Sequence, residues 1–98
     1  MIVNIIKTYR DVVAICDSEL LGKRFEEGKF QLDVKESFFK GNETDEEKTI
    51  EIMKDLAKED ATFNIIGKQS TNAALKAGII KQEGIGRIAN IPFALILI

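Results

Sequence analysis

Histidine and tryptophan are absent from this 98-residue sequence, which has one cysteine and one proline. Histidine is the side chain that titrates near neutrality and the commonest metal ligand, so its absence excludes a histidine-based triad or zinc site. The single cysteine, Cys16, excludes an intramolecular disulfide, which is typical of a reducing compartment. We therefore expect a cytoplasmic protein without a metal or cofactor.

Long hydrophobic runs are also lacking. Residues 1–6 are apolar apart from Asn4 but have no charged leader, and the apolar run at residues 91–98 is too short to cross a bilayer. We expect neither a targeting segment nor a membrane partner. Fourteen basic against sixteen acidic residues give a net charge of −2, which argues against holding nucleic acid by bulk charge but allows a local basic patch.

The length and composition predict a single domain over residues 1–98. Hydrophobic residues make up 45% and charged residues 31%, an ordinary globular balance. Residues 2–9 and 12–16 are rich in valine and isoleucine on either side of Arg10-Asp11, which predicts an N-terminal antiparallel hairpin. Residues 23–28 are mostly charged, and after them the alternation at residues 30–34 predicts a half-buried strand that ends near Phe38 and Phe39.

The second half predicts two helices with strands around them. Thr44 and Glu47 match a capping box for a helix over about residues 45–58, and a second helix should cover residues 68–77.

Residues 62–66 and 87–90 are interpreted as strands, which would form a crossover unit with the helix between them if they lie parallel. Residues 93–98 should be a C-terminal strand buried on both faces. Pro92 indicates an edge or a bulge. The overall prediction is an α+β or α/β fold with a mixed sheet.

The strand, glycine and helix around Gly67 form the first candidate site. Free amides at the helix start, together with Lys68 and the side chains of Gln69, Ser70 and Thr71, could bind an anion or RNA. The sequence contains no G-x-G-x-x-G or Walker-type loop, so a purely structural turn is the alternative.

The second candidate is the segment after Cys16. Asp17 and Glu19 beside the thiol could supply acid, base and nucleophile, but no activating histidine or cation is evident. The alternative is a capped turn that Gly22 ends. The secondary candidate site residues of this segment are Asp17, Leu21, Gly22 and Lys23.

A basic surface is the third candidate. Its members are scattered in sequence and meet only if the fold brings them together: Lys23, Arg24, Lys68, Lys76, Lys81 and Arg87. No aromatic residues alternate with them, as they would in a single-strand binder, so a solvated mixed surface is the alternative.

Four blocks of the sequence together resemble a known family. They are residues 16–23 (CDSELLGK), 64–67 (NIIG), 77–80 (AGII) and 90–94 (NIPFA). Their order and spacing resemble the archaeal DUF424 family, which has no established activity. The resemblance implies a compact archaeal protein and, through the family's association with translation genes, a role linked to RNA.

We therefore expect a non-enzymatic binding or adaptor module in translation or RNA metabolism, with RNA or a ribonucleoprotein as partner. One alternative is an enzyme or sensor that binds a small phosphorylated ligand at the Gly67 helix start. Another is a structural subunit of a homodimer or other oligomer, which predicts an exposed apolar patch near Phe38 or Phe93.

Overall fold

The computed structural model describes residues 1–97 and consists of a six-stranded mixed sheet, a two-stranded sheet and three helices. The strands are β1 (Ile2–Ile6), β2 (Val12–Cys16), β3 (Arg24–Glu27), β4 (Phe30–Asp33), β5 (Asn42–Glu43), β6 (Thr62–Ile66), β7 (Gly86–Ile88) and β8 (Ile91–Ile96). The helices are α1 (Glu36–Phe39), α2 (Glu46–Ala57) and α3 (Lys68–Ala77), with 3₁₀ turns at Ser18–Leu20 and Gln82–Gly84. The predicted α+β class with a mixed sheet is confirmed.

The large sheet has the strand order β5-β1-β2-β6-β8-β7. The predicted hairpin β1–β2 is antiparallel, β2 and β6 are parallel, and β8 pairs antiparallel with both β6 and β7. Strands β6 and β7 therefore run in the same direction, but they are not paired, because β8 lies between them. The carboxyl ends of β2 and β6 meet at one edge of the sheet, where the candidate site is found.

Helices α2 and α3 cover one face of the sheet. Alternate residues of β2 and β6 point to this face, among them Val13, Ile15 and Phe63, and all are buried. From the helices, Met53 of α2 and Ala73 of α3 pack against them. Small residues on α3 let its backbone approach the sheet closely, as the alanine-rich pattern indicates.

The opposite face is covered by the β3–β4 sheet, α1 and the turn at Ser18–Leu20. Its buried residues come from both sides of the interface: Ala14, Cys16, Leu20, Leu32, Val34, Phe39, Ile66 and Ile88. Alternate side chains of β2 thus belong to two different cores, one on each side of the sheet. Among residues 1–97, no helix has the length and apolar character needed to cross a membrane.

This second face contains two elements that the sequence did not predict. Residues 24–27 form β3 although most of them are charged, because β3 lies in a small sheet whose outer face is in solvent. Phe38 and Phe39 lie in α1, not at the end of a strand. Phe39 is buried and Phe38 half-buried, with their rings edge to face at 5.1 Å.

The cap of α2 also differs from the prediction. The N-cap is Asp45, whose carboxylate accepts a hydrogen bond from the backbone amide of Lys48 at 2.8 Å. Thr44 instead has its hydroxyl 2.6 Å from that of Thr49, a buried residue of α2. Both are good N-cap types, so the local pattern alone did not distinguish two neighbouring start positions.

Strand β8 is an inner strand, so the prediction that Pro92 indicates an edge or bulge was wrong. The Pro92 carbonyl accepts a hydrogen bond from the Gly67 amide at 2.8 Å. The donor that proline lacks is not needed, because the Gly67 carbonyl accepts from the Thr71 amide at 2.9 Å. Ala94 is buried, but Leu95 is 54% exposed, so β8 is not buried on both faces over its whole length. Ile98, the last residue of the predicted strand, lies outside the described residues.

Candidate functional site

The start of α3 is capped by a carboxylate from a distant part of the chain. Asp17 follows β2 and accepts hydrogen bonds from the backbone amides of Gln69 at 3.1 Å and Ser70 at 2.8 Å. Asp17 also accepts the Ser70 hydroxyl at 2.7 Å. Asp17 is only 3% exposed, so these three donors replace water and compensate for burial of the charge.

Gly67 makes this close approach possible. Its φ of 114° lies in the region that favours glycine, and its amide and carbonyl connect β6 to β8 and α3. A Cβ atom at this position would lie 2.3 Å from Cγ of Asp17, far inside contact distance. The glycine is therefore required both by the backbone conformation and by the carboxylate that caps α3.

Two of the predicted anion-binding residues form hydrogen bonds inside the protein. The buried hydroxyl of Ser70 donates to Asp17, and the buried hydroxyl of Thr71 donates to the Gly67 carbonyl at 2.8 Å. The amides that were expected to bind an external anion thus donate to the protein's own carboxylate at two positions. An incoming phosphate would also meet the negative charge of Asp17 there.

Lys68 and Gln69 are the exposed members of the predicted set. Both lie on the rim of a cleft of about 320 Å³, which we call the carboxylate cleft. Its lining combines two carboxylates, three other polar side chains and an apolar wall: Asp17, Glu19, Leu20, Lys68, Gln69, Asn90, Ile91 and Pro92. The structure therefore joins the first predicted candidate to Asp17 and Glu19 of the second.

Asn90 enters this cleft from the two-residue turn that connects β7 and β8. Ala89 and Asn90 have φ values of 50° and 65°, the left-handed pair of a type I′ turn. The Ala89 amide donates to a side-chain oxygen of Glu27 in β3 at 2.7 Å, which ties the turn to the small sheet. This contact supports a conformation that alanine rarely adopts and holds Asn90 at the cleft.

A second cleft lies on the other side of Lys68 and has a volume of about 160 Å³. We call it the cation cleft, and its lining residues are Lys68, Thr71, Asn72, Leu75, Gln82, Ile85, Arg87 and Pro92. No carboxylate of residues 1–97 belongs to this lining. The two clefts share Lys68 and Pro92, yet they differ in charge.

Two of the other predicted basic residues lie in ion pairs. Arg24 lies 3.2 Å from a carboxylate oxygen of Glu26, and Lys76 lies 2.7 Å from one of Glu46. Within the described part of the chain, the two cations of the cation cleft form no ion pair. Lys23 and Lys81 also form no ion pair with another of residues 1–97, but neither lines this cleft. Of the predicted basic surface, the fold brings together Lys68 and Arg87 at this cleft.

Comparison with known proteins places the chain in a family. The model of the family described as "Protein of unknown function (DUF424)" matches residues 6–98. The chain belongs to this family. A crystal structure of an uncharacterized conserved protein from Methanopyrus kandleri has the same fold, with a TM-score of 0.84 at 22% identity, over 97% of this chain and 88% of the other. No curated protein matches the chain.

In this DUF424 protein, the remaining secondary candidates Leu21, Gly22 and Lys23 line neither cleft. The Gly22 amide donates to the Val34 carbonyl at 2.7 Å, and the Val34 amide donates to the Lys23 carbonyl at 2.9 Å. The segment thus attaches the small sheet to the turn that follows β2. Its backbone role is structural.

Cys16 does not have the environment of a nucleophile. It is fully buried, and burial, followed by the negative charge of Asp17, raises the pKa of its thiol to about 11. At neutral pH the sulfur is therefore a protonated, inaccessible thiol. Within residues 1–97 of this DUF424 protein, no group of three or more histidine, cysteine or acidic side chains could hold a metal ion.

Sequence reasoning missed Asn90 and the polar residues Asn72 and Gln82 of the cation cleft. Asn90 had one local signal, because it follows Ala89 between two apolar stretches where a two-residue turn fits. Asn72 and Gln82 are ordinary exposed polar residues in the sequence. Only the packing of the 3₁₀ turn at Gln82–Gly84 beside α3 places them with Arg87.

The apolar surface expected of an oligomer subunit lies on β8. Phe38 and Phe93 are both half-buried. Leu95, which points to the same side of the strand as Phe93, is 54% exposed, and Leu97 is 71% exposed. Exposed apolar side chains are thus present near Phe93, whereas Phe38 packs against its own core.

Proposed function

We propose that the protein is a non-enzymatic module that binds single-stranded RNA, alone or in a ribonucleoprotein, with phosphates held at the cation cleft. The observation that carries this proposal is the pairing of Lys68 and Arg87 on one cleft without a neutralising carboxylate. Arginine and lysine are the side chains that proteins use most for phosphate contacts. Asn72 and Gln82 add neutral donors to the same surface.

The charge balance of the protein sets the strength of this binding. With a net charge of −2, it has no extended positive field, so affinity depends on local contacts at the cleft. Neither cleft has an aromatic side chain from residues 1–97 in its lining, so stacking of bases contributes little. We expect binding of moderate affinity, as suits an adaptor in translation or RNA metabolism.

The alternative of a small phosphorylated ligand at the Gly67 helix start has less support. That ligand would depend on the backbone amides of Gln69 and Ser70, and both donate to Asp17. Ligand-binding sites for small molecules usually enclose most of the ligand surface. The open surface around Lys68 is better suited to a polymer that continues beyond the protein.

Fluorescence anisotropy with a single-stranded RNA decamer of mixed sequence tests the proposal. Two phosphate contacts predict that the logarithm of the binding constant falls with the logarithm of salt concentration with a slope of about −1.4. The double variant Lys68→Gln, Arg87→Gln removes both charges and keeps side-chain length. We expect it to lose about tenfold in affinity at low salt and most of the salt dependence.

The matched control is Lys54→Gln, Lys58→Gln. These exposed lysines line a cleft at the end of α2 that also contains Glu51 and Asp55, so the net charge changes equally without affecting the proposed surface. The control should bind RNA like the unchanged protein. Equal loss in both double variants, or binding that does not depend on salt, would contradict the proposal.

A role in an oligomer is a second proposal, supported by the exposed Leu95 of β8 and Leu97 directly after it. A homodimer would remove these side chains from water. Light scattering after size exclusion measures the oligomeric state directly. We expect Leu95→Glu to shift any dimer to monomer, and a monomer at millimolar concentration of unchanged protein would contradict this role.

A further inference from the structure

The carboxylate cleft lies next to the proposed phosphate site and differs from it in chemistry. It shares Lys68 with the cation cleft, but Asp17 and Glu19 make it unsuitable for a phosphate. Its volume of about 320 Å³ is at the lower end of the range for ligand sites and sufficient for one nucleobase. A chain whose phosphate contacts Lys68 from the cation side can place the attached base in this cleft.

The acceptor that is free in this cleft is Glu19. Asp17 is buried and accepts three hydrogen bonds from the start of α3, whereas Glu19 is exposed and forms no ion pair or hydrogen bond with another of residues 1–97. Carboxylates accept hydrogen bonds from exocyclic amino groups of bases, as acidic side chains do from N4 of cytosine. The charge of the cleft therefore favours a ligand edge that donates.

The remaining walls suit a planar base. Ile91 and Pro92 supply apolar surface, and the amides of Gln69 and Asn90 can each donate or accept. Asn90 is held on the left-handed turn that the Ala89 amide ties to Glu27, so its position is set by the fold before a ligand binds. Such prior ordering lowers the entropic cost of recognition.

We infer that the carboxylate cleft recognises an RNA base that carries an exocyclic amino group and discriminates against uracil, which has none. The inference rests on the proposed function, because Lys68 must bring the adjoining phosphate to the rim. Glu19 accepts the amino group, and Asn90 and Gln69 contact the neighbouring ring positions. The backbone amides at the start of α3 take no part, since Asp17 occupies them.

The experiment compares cytidine and uridine decamers by fluorescence anisotropy at one salt concentration. The two bases are similar in size, and the position that Glu19 should contact carries an amino group in cytosine and a carbonyl oxygen in uracil. We expect the cytidine decamer to bind about tenfold more tightly. Glu19→Gln should remove most of this preference. Binding of the uridine decamer should stay unchanged or become slightly stronger, because glutamine lacks the negative charge with which Glu19 repels the RNA phosphates.

Glu83→Gln is the matched control, since Glu83 is an exposed carboxylate on the 3₁₀ turn at Gln82–Gly84 and does not line the carboxylate cleft. It should retain the cytidine preference. Equal affinity of the unchanged protein for both decamers would overturn the inference, as would a preference that survives Glu19→Gln. If the inference fails but both decamers bind, and both lose affinity in the Lys68→Gln, Arg87→Gln variant, the proposed function still holds. Absence of binding to either decamer would overturn both.

Discussion

Helices α2 and α3 both begin with an aspartate cap, but the two caps differ in origin. Asp45 precedes α2 directly, is exposed and accepts from an amide three residues along the chain. Asp17 reaches α3 across a separation of 52 to 53 residues and is buried. The first cap stabilises one helix, whereas the second connects β2, β6 and α3. We therefore expect removal of the two caps to lower the free energy of unfolding by different amounts.

Gly67→Ala should have the largest effect because it removes the space for the distant cap. The added Cβ meets Asp17 at 2.3 Å, and alanine is strained at a φ of 114°. We expect a loss of about 3 kcal/mol or more in the free energy of unfolding. Urea unfolding followed by circular dichroism measures this loss.

Gly78→Ala is the control for Gly67→Ala. Gly78 ends α3 with a φ of 76°, but a Cβ there has no neighbour within 4 Å. Only backbone strain of about 1–2 kcal/mol is expected. Equal losses in the two variants would mean that the Asp17 contact contributes nothing and would break the distinction between the two caps.

Asp17→Ala and Asp45→Ala compare the caps directly. Removing Asp17 leaves the buried amide and hydroxyl of Ser70 and the partly buried amide of Gln69 without this acceptor, which we expect to cost about 2–3 kcal/mol. Removing Asp45 exposes one amide to water, at a cost of about 1 kcal/mol. The same urea measurement applies, and a larger loss for Asp45→Ala would contradict the distinction.

Alkaline pH should weaken the buried region around Asp17. In the unfolded chain the Cys16 thiol ionises with a pKa of about 8.5, whereas in the folded protein its pKa is raised to about 11. Between these values the unfolded chain has lost the proton that the folded chain keeps, so the free energy of unfolding falls as pH rises, by about 3 kcal/mol in total.

Cys16→Ala tests this contribution. The variant has a smaller core side chain and lower stability at pH 7, but its unfolding free energy should fall less between pH 8.5 and pH 11 than that of the unchanged protein. The difference in slope is the quantity to compare. Parallel slopes would show that the thiol is equally ionisable in both states and that the Asp17 region is open to water.

The smallest effect on stability is expected for Lys68→Gln, Arg87→Gln. Both side chains are exposed, and within residues 1–97 neither forms an ion pair. Exposed substitutions of this kind change stability by about 0.5 kcal/mol or less. A loss well above this, measured by urea unfolding, would mean that the two cations stabilise the fold, and any loss of RNA binding would then need another explanation.

Elements with a strong local pattern could be predicted from the sequence. The bounds of β2, β6 and α3 agree with those expected from apolar runs and from the glycines at positions 67 and 78. Strand β3 and helix α1 were missed because neither has a local pattern. The charged β3 depends on pairing with β4, and α1 is a single turn held by burial of Phe39.

The candidate site could be predicted only in part, for a physical reason. Gly67 and Lys68 were identifiable because a glycine between a strand and a helix is a local signal. We predicted that an external anion binds the backbone amides at the start of α3, because the local sequence offers them no acceptor. Their acceptor is Asp17, which lies far away in sequence. Asn90 had the local signal of a two-residue turn, but Asn90 and Arg87 reach the site only because β8 pairs with β6, which no local pattern specifies.

Composition and periodicity were thus sufficient for the fold class, the two longer helices and the exclusion of histidine chemistry, because these depend on residue types and on neighbours along the chain. The arrangement of the candidate site depended on the parallel pairing of β2 with β6. It brought the carboxyl ends of both strands to one edge of the sheet and placed Asp17 at the start of α3. That contact occupies the helix amides and leaves Lys68 between an acidic and a basic cleft, because strand order and not sequence distance sets which charges meet.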